Sequence, residues 1–310
     1  MIDRRAKKSR HIRIGVDIGG TKSHAVAIDR NGMLVHELLE PSGSGPDGLL
    51  DGLVRSVRIM AEMSGVSTDE IHSIGVGIPG QVDIDSGVVR QAVNLGVQEW
   101  QLADDLYAAI GIRPTIDNDV NAAALGAQKV LGIDGSMAYL NLGTGVAAGI
   151  VVDGELLHGT RGAAGEIGHV SIDANGPLCD CGQRGCIEAF SGGRALGRLM
   201  GGAARPLARI LDDADSGDNA AAQARRDFSW SVAAAVRILV LSVDPQTIVI
   251  GGGAVALGER ISEPILSAIE EAERGSAFLR SLDIAKRVRF LPATLRAPAI
   301  GAALLKGTVK

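Results

Sequence analysis

The chain has 310 residues, 46% of them apolar, and a formal charge of −5 with a pI near 5.7. That length exceeds one ordinary domain of about 100–200 residues and predicts two lobes, each with enough apolar material for a core. The acidic balance excludes a global electrostatic pull toward nucleic acid or an anionic membrane, which leaves a small soluble ligand as the default partner.

The first ten residues carry five Lys or Arg side chains, and residues 1–11 read as a disordered, solvated tail rather than a nucleic-acid arm. No apolar h-region of about 7–15 residues follows within a signal-peptide window. The longest apolar helical stretch, residues 231–243, contains Arg237 and falls short of the ~20 residues that span a bilayer. A cytoplasmic protein with no membrane contact is expected.

Residues 12–18 and 24–28 are β-prone runs joined by Gly19, Gly20, Thr21 and Lys22, and a third run, 33–39, follows the hairpin pair Asn31-Gly32. Apolar spacing predicts a helix over 48–63 and a buried strand over 71–78, closed by Pro79 and Gly80. Strand, helix and strand in that order indicate α/β layers. A short strand at 114–117 leads into a helix at 119–130, and a second hairpin, 137–142 with 146–152, turns at Gly143, Thr144 and Gly145. A Gly-Thr turn in each half points to a duplicated nucleotide-binding fold. Residues 201–219, rich in Gly, Ala and Asp, read as a loop with at most a short helix. A long helix is predicted over 220–243, a buried strand over 247–250, and a turn at Gly251, Gly252 and Gly253. An amphipathic helix over 261–273, a strand over 288–291 and a helix over 298–304, opened by Pro298, complete the chain.

At the end of the first strand, glycines let backbone N–H groups approach a phosphate, Thr21 can donate a hydroxyl, and Asp17 can hold Mg2+ through water. The same residues also suffice for a plain hairpin turn, and the GxxxxGK[ST] spacing of a P-loop is absent. Gly143, Thr144 and Gly145 carry the same two readings, and the Gly251 turn either packs against an adenosine or starts a helix. Asp117, Asn118, Asp119, Val120 and Asn121 lie where a strand meets a helix. They are good helix caps, and a carboxylate there is also what a kinase needs to accept the proton of an attacking hydroxyl.

The sharpest local signal is Gly165, Glu166, Ile167, Gly168 and His169, followed by Cys179, Cys181 and Cys186, which are all three cysteines of the chain. One imidazole and three thiolates form a closed tetrahedral set, which reads as structural Zn2+ rather than a disulfide framework. Glu166 and Glu188 flank this cluster, either as surface acids or as carboxylates presented to one pocket, where they accept hydrogen bonds from sugar hydroxyls.

Together these segments resemble the ROK family (repressors, open reading frames and kinases) of the actin and Hsp70-like ATPase superfamily, over about residues 14–304 and most specifically in CDCGQRGCIE at 179–188 with the preceding GEIGH. The resemblance implies an α/β, two-lobed actin-like (ribonuclease H-like) ATPase fold with duplicated mixed sheets flanked by helices. The smaller lobe would comprise 12–115 plus 298–310, and the larger 116–297 with the zinc site; Mg-ATP and sugar would occupy the cleft. Asp17, Gly19, Gly20, Thr21 and Lys22 fall on the first phosphate motif, Gly143, Thr144 and Gly145 on the second, and Gly251, Gly252 and Gly253 on the adenosine side. Asp119 falls on the family's catalytic base, while Asn118, Glu166, His169 and Glu188 fall on its sugar contacts. Gly80 and Asn94 match substrate-side loops. His169, Cys179, Cys181 and Cys186 match the zinc ligands, and His169 would give its second ring nitrogen to the sugar.

The implied reaction transfers a phosphoryl group from ATP to a hexose, glucose first. N-acylmannosamine, mannose, fructose or allose are the alternative acceptors, polyphosphate the alternative donor, and a non-catalytic sugar sensor the rival outside enzymes. A homodimer or homotetramer is implied as well. Two departures from the family pattern stand out. Too few residues precede residue 12 for the helix-turn-helix of the family's repressors, and Val146, Ala147, Ala148 and Gly149 replace the glycine run that follows the second phosphate motif in many of its glucokinases.

Overall fold

Alternation of apolar side chains sets up the opening meander. β1 (Arg13–Ile18) pairs antiparallel with β2 (Lys22–Ile28), which pairs antiparallel with β3 (Leu34–Pro41). The computed structural model describes residues 11–292 and 294–306, so the expected tail, His11 apart, lies outside the described residues. α1 (Gly45–Ser64) follows, with a proline in its first turn and Gly65 in the left-handed conformation as its C-cap. Leu49, Leu53, Val57 and Met60 recur at helical spacing and are buried in the same core as Ile14, Val16 and Ile18 of β1.

β4 (Ser73–Ile78) lies parallel to β1. The sequence reading passed over the next segment, a small antiparallel sheet of β5 (Gln81–Asp83), β6 (Val88–Ala92) and β7 (Val97–Trp100), and then α2 (Leu102–Ile110). β8 (Thr115–Asn118) pairs parallel with β4 and runs directly into α3 (Asp119–Leu131). The sheet order is β3-β2-β1-β4-β8.

A helix from the end of the chain, Ala297–Leu304, completes this unit. It lies on β1 and β4 where their register partners are both glycines, Gly15 and Gly75. A β-carbon on Gly15 would sit 2.1 Å from the Ala299 carbonyl oxygen, and one on Gly75 1.9 Å from that of Ala302, so helix backbone rests directly on strand backbone. Its flank against α3 is equally close: an added β-carbon on Gly126 would lie 1.7 Å from the Ala297 oxygen, and one on Gly301 1.7 Å from the Ala122 oxygen.

The second unit repeats the plan. β9 (Met137–Leu142), β10 (Val146–Val152) and β11 (Glu155–Leu156) form an antiparallel meander. The metal-type loop leads into α4 (Ile187–Ser191) and α5 (Gly193–Leu199). α6 (Pro206–Asp215) occupies the stretch expected to be mostly loop. Its proline starts the helix and Leu207, Ile210 and Leu211 form a buried stripe among polar residues. α7 (Asn219–Val243) is capped by Asp218, whose carboxylate accepts from the Ala221 N–H. β12 (Thr247–Gly251), α8 (Glu259–Arg274), α9 (Ala277–Arg280), α10 (Ile284–Arg287) and β13 (Val288–Phe290) follow, which makes the C-terminal helix α11. The sheet order is β11-β10-β9-β12-β13, with β12 parallel to both β9 and β13. Each unit thus has three meander strands followed by two parallel ones, and β1, β2, β3, β4 and β8 correspond to β9, β10, β11, β12 and β13.

The two compact units are Met1–Gly132 with Arg296–Lys310, and Ile133–Leu295. β8 and α3, which the sequence reading assigned to the larger lobe, pair with β4 and pack on α11 inside the first unit. Among the described residues no helix is long and apolar enough to cross a membrane.

Candidate active site and metal centre

In the first unit the parallel register aligns Asp17 of β1, Gly77 of β4 and Asp117 of β8. Glycine in the middle lets its neighbours close in: a β-carbon there would lie 3.1 Å from the Ala122 β-carbon, 3.6 Å from the Asp119 α-carbon and 3.7 Å from Asp17 Oδ1. Asp17 and Asp119 therefore flank one spot. Burial, and after it the charge of Asp119, pushes the Asp17 carboxyl up to about 7.

Asp119 is the first residue of α3, and its Oδ1 accepts from the Val120 N–H at 3.0 Å, where the helix dipole favours a negative charge. Asn118 is the N-cap; its Oδ1 accepts from the same N–H at 2.8 Å. Its Nδ2 donates to the Gly80 carbonyl at 3.1 Å, so one amide ties the helix start to the Gly80 loop. Gly80 has φ +109°, and a β-carbon on it would meet the Arg90 carbonyl oxygen at 2.7 Å. Asp117 accepts from the Asn118 N–H at 2.7 Å and from Asn121 Nδ2 at 2.9 Å, which holds the strand-to-helix junction in one geometry. The capping reading of this segment is met, and the same caps set the start of the helix on which the Asp119 carboxylate stands. Asn94 is exposed in the short 3-10 turn Val93–Leu95.

The first glycine turn is closed by the Gly19 N–H donating to the Lys22 carbonyl at 3.0 Å. Ser42 braces it, donating Oγ to the Gly19 carbonyl at 2.7 Å and its N–H to Thr21 at 3.1 Å, while Gly20, Thr21 and Lys22 stay exposed.

In the second unit, the Gly143 N–H donates to the Gly145 carbonyl at 3.1 Å. The N–H groups of Gly193 and Arg194, at the start of α5, donate to the Gly143 and Thr144 carbonyls, both at 2.9 Å. Glu188 Oε2 accepts from the Val146 N–H at 2.8 Å, directly after the turn. A β-carbon on Gly145 would meet that same oxygen at 2.3 Å. Glu188, expected at the sugar, is thus bonded to the turn through one oxygen. Gly252, with φ +89°, folds over the end of β9, where a β-carbon would lie 2.5 Å from the Leu142 carbonyl oxygen.

The GEIGH segment lies along β10, and its two glycines permit the approach. A β-carbon on Gly165 would sit 1.8 Å from the Ala148 oxygen, and one on Gly168 1.9 Å from the Val146 oxygen. Glu166 is exposed and His169 half-buried. A ring nitrogen of His169 and the sulfurs of Cys179, Cys181 and Cys186 all lie within 4.8 Å of one another. Cys179 Sγ is 3.8 Å from His169 Nδ1, and Cys181 Sγ is 3.6 Å from Cys186 Sγ. A zinc tetrahedron with bonds of about 2.3 Å to sulfur puts its vertices roughly 3.8 Å apart, so the donor set fits. Burial pushes the Cys186 thiol up to about 12, whereas hydrogen bonds from the Gln183 N–H and side chain draw Cys181 down to about 6. A dication held there would supply the positive charge that three neighbouring thiolates require.

The sequence reading missed two groups at these turns: Ser42, which braces the first, and Asn141, which stands beside the second. The last stands two residues before Gly143, as Asp17 stands two before Gly19, and that matching offset was the available signal.

The sequence model of the ROK family matches residues 13–308. The chain is 31% identical over 279 residues to the glucokinase of Halalkalibacterium halodurans, a match covering 83% of this chain and 84% of that one. It is 32% identical over 261 residues to the N-acetylmannosamine kinase of Salmonella arizonae, covering 81% and 86%. The crystal structure of the ROK hexokinase from Thermus thermophilus superposes with a TM-score of 0.81 at 31% identity, covering 94% of this chain and 97% of that one. With its duplicated sheets, its paired glycine turns and its cluster of one histidine and three cysteines, this chain has the actin-like α/β fold and belongs to the ROK family.

Proposed function

We propose that this protein is an ATP-dependent hexose kinase, with glucose as its first acceptor and Asp119 as its general base. The observation that carries the reading is the Asp119 carboxylate itself, accepting from the Val120 N–H at a helix N-terminus capped by Asn118 and near enough for its charge to act on Asp17. The name of the Halalkalibacterium relative supports glucose; that of the Salmonella relative supports N-acetylmannosamine as the alternative acceptor.

In this reading the 6-hydroxyl of the hexose attacks the γ-phosphorus, Asp119 accepts the hydroxyl proton, and ADP leaves with the pair of electrons from the broken bond. The exposed backbone of the two glycine turns binds phosphate oxygens. Asp17 would hold Mg2+ through water, and a half-buried carboxyl whose desolvation pushes it up to about 7 beside a second carboxylate is suited to a dication. Magnesium supplies charge neutralisation at the phosphates. Asn118 has an N–H of its amide left for the sugar, and Glu166, His169 and the second oxygen of Glu188 offer acceptors and a ring nitrogen for sugar hydroxyls. His169, Cys179, Cys181 and Cys186 would hold structural Zn2+, which keeps the loop bearing Glu166 and Glu188 in one conformation. A cytoplasmic homodimer or homotetramer belongs to the same proposal.

A coupled ADP-release assay over glucose, mannose, fructose, allose and N-acylmannosamine tests it, with ATP and polyphosphate as donors. Glucose with ATP is expected to give the highest kcat/KM. Asp119→Ala is expected to lower kcat by about 10²-fold or more, the usual contribution of a general base, without loss of fold. Measurable sugar binding with no turnover from either donor replaces the kinase with a sugar sensor.

A further inference from the structure

The duplication makes Asn141 the counterpart of Asp17. Each is the penultimate residue of the first strand of its sheet, and each is followed two positions later by the first glycine of a turn. The register agrees: Asp17 pairs with Gly77 of β4, and Asn141 with Gly251 of β12. Both partners are glycines in the fourth strand of their sheets.

The Asn141 side chain is half-buried and lies between two glycine segments of the second unit. A β-carbon on Gly143 would sit 3.1 Å from its Nδ2, and one on Gly252 would sit 2.6 Å from its Oδ1. Among the described residues no hydrogen bond engages this amide, although its neighbours along the strand end are densely bonded. A polar group held in place by backbone on two sides, with donor and acceptor both uncommitted, is organised for a ligand rather than for the fold. Its chemistry narrows that ligand. The Gly143 turn presents backbone to an anion, and an amide can add a donor there without placing a further negative charge beside it, as a carboxylate at this position would.

We propose that Asn141 is a nucleotide-contact residue, donating Nδ2–H to a phosphate oxygen of the nucleotide bound at the Gly143, Thr144 and Gly145 turn. The proposal rests on the kinase reading above and assigns the turn a side-chain contact besides its backbone.

The test compares the parent protein with Asn141→Ala and the isosteric Asn141→Asp, after thermal melts establish that each variant is folded. Calorimetric binding of MgADP is expected to weaken about tenfold in Asn141→Ala, the loss of one hydrogen bond to a charged group. Adenosine binding, which contains no phosphate contact, is expected to stay within about twofold of the parent, and the KM for ATP to rise while that for the sugar does not. Asn141→Asp is expected to weaken ADP binding more without Mg2+ than with it, because the new carboxylate faces phosphate charge directly. MgADP affinity equal to the parent in both variants overturns the proposal. Parallel losses of adenosine and MgADP also overturn it, since they report a collapsed turn. A parent protein that binds no nucleotide sinks the kinase reading, and this proposal with it; a parent that binds MgADP tightly while Asn141→Ala does so equally well sinks only the proposal.

Discussion

Gly126→Ala should destabilise the first unit, although alanine is the better helix former. Gly126 lies inside α3, where the intrinsic preference for alanine over glycine is worth about 1 kcal/mol. Against this, the new methyl would stand 1.7 Å from the Ala297 carbonyl oxygen and 2.5 Å from its carbon, and that gap has to open to at least 3.0 Å. The obstacle is backbone, so no rotamer change relieves it, and overpacking of this kind sits at the upper end of its usual cost of about 1–3 kcal/mol. The net loss is therefore about 2 kcal/mol. At about 2–4 °C per kcal/mol for a unit of this size, Tm should fall by roughly 4–8 °C in scanning calorimetry of the ligand-free protein. Gly52→Ala in α1 is the matched control: its methyl would find nothing nearer than the Arg55 guanidinium at 4.0 Å, so Tm should rise by a few degrees. Because α3 also begins with Asp119, the Gly126 variant should lose more turnover than its lowered stability accounts for. A Gly126→Ala protein that melts at or above the parent would refute the close approach of α3 to α11.

Asp17→Asn should abolish turnover yet stabilise the protein free of nucleotide and metal. The folded carboxyl titrates at about 7 against an ordinary 3.8, so the folded state binds more protons than the unfolded one between those values, and stability falls as pH rises through that window. The variant's gain should thus be absent near pH 4, grow to about pH 7, and level off above it at a few kcal/mol; urea melts showing a pH-independent gain would count against the burial of Asp17. Glu188→Gln should keep Tm near the parent because an acceptor for the Val146 N–H remains, whereas Glu188→Ala should cost about 1–3 kcal/mol for a backbone donor left without its partner. Elemental analysis should find one zinc per chain in the parent and none in Cys186→Ser, with a lower Tm; a metal-free parent that is fully folded and active would reject the zinc centre.

The elements with a clean period were legible in the sequence. The hairpin of β9 and β10 has the predicted bounds, because apolar residues fill both strands and glycine marks the turn. α6 was obscured by its composition: the Ala and Asp residues next to Leu207, Ile210 and Leu211 read as loop until the buried stripe is seen on one face. The strands of the small sheet have three to five residues, too few to establish an alternation. In the site, the cluster of His169 with the three cysteines was readable because all its members fall within one short stretch of the chain, rich in glycine turns. The Glu188 bond to Val146 spans 42 residues of sequence and has no local signature. The placement of β8 and α3 in the first unit was likewise unreadable, since it depends on pairing with β4 and on glycines that matter only once α11 lies against them.

That dependence on α11 has a consequence for synthesis. The sheet of the first unit leaves the ribosome before the second unit, but one of its faces stays open at Gly15 and Gly75 until residues 297–304 have been made. The second unit is continuous in sequence and can bury its own core while still attached to the ribosome. Native closure therefore reverses the order of translation. The lobe encoded first is sealed last, and a nascent chain stalled short of Ala297 would hold the glycine-floored face of β1 and β4 open to chaperones.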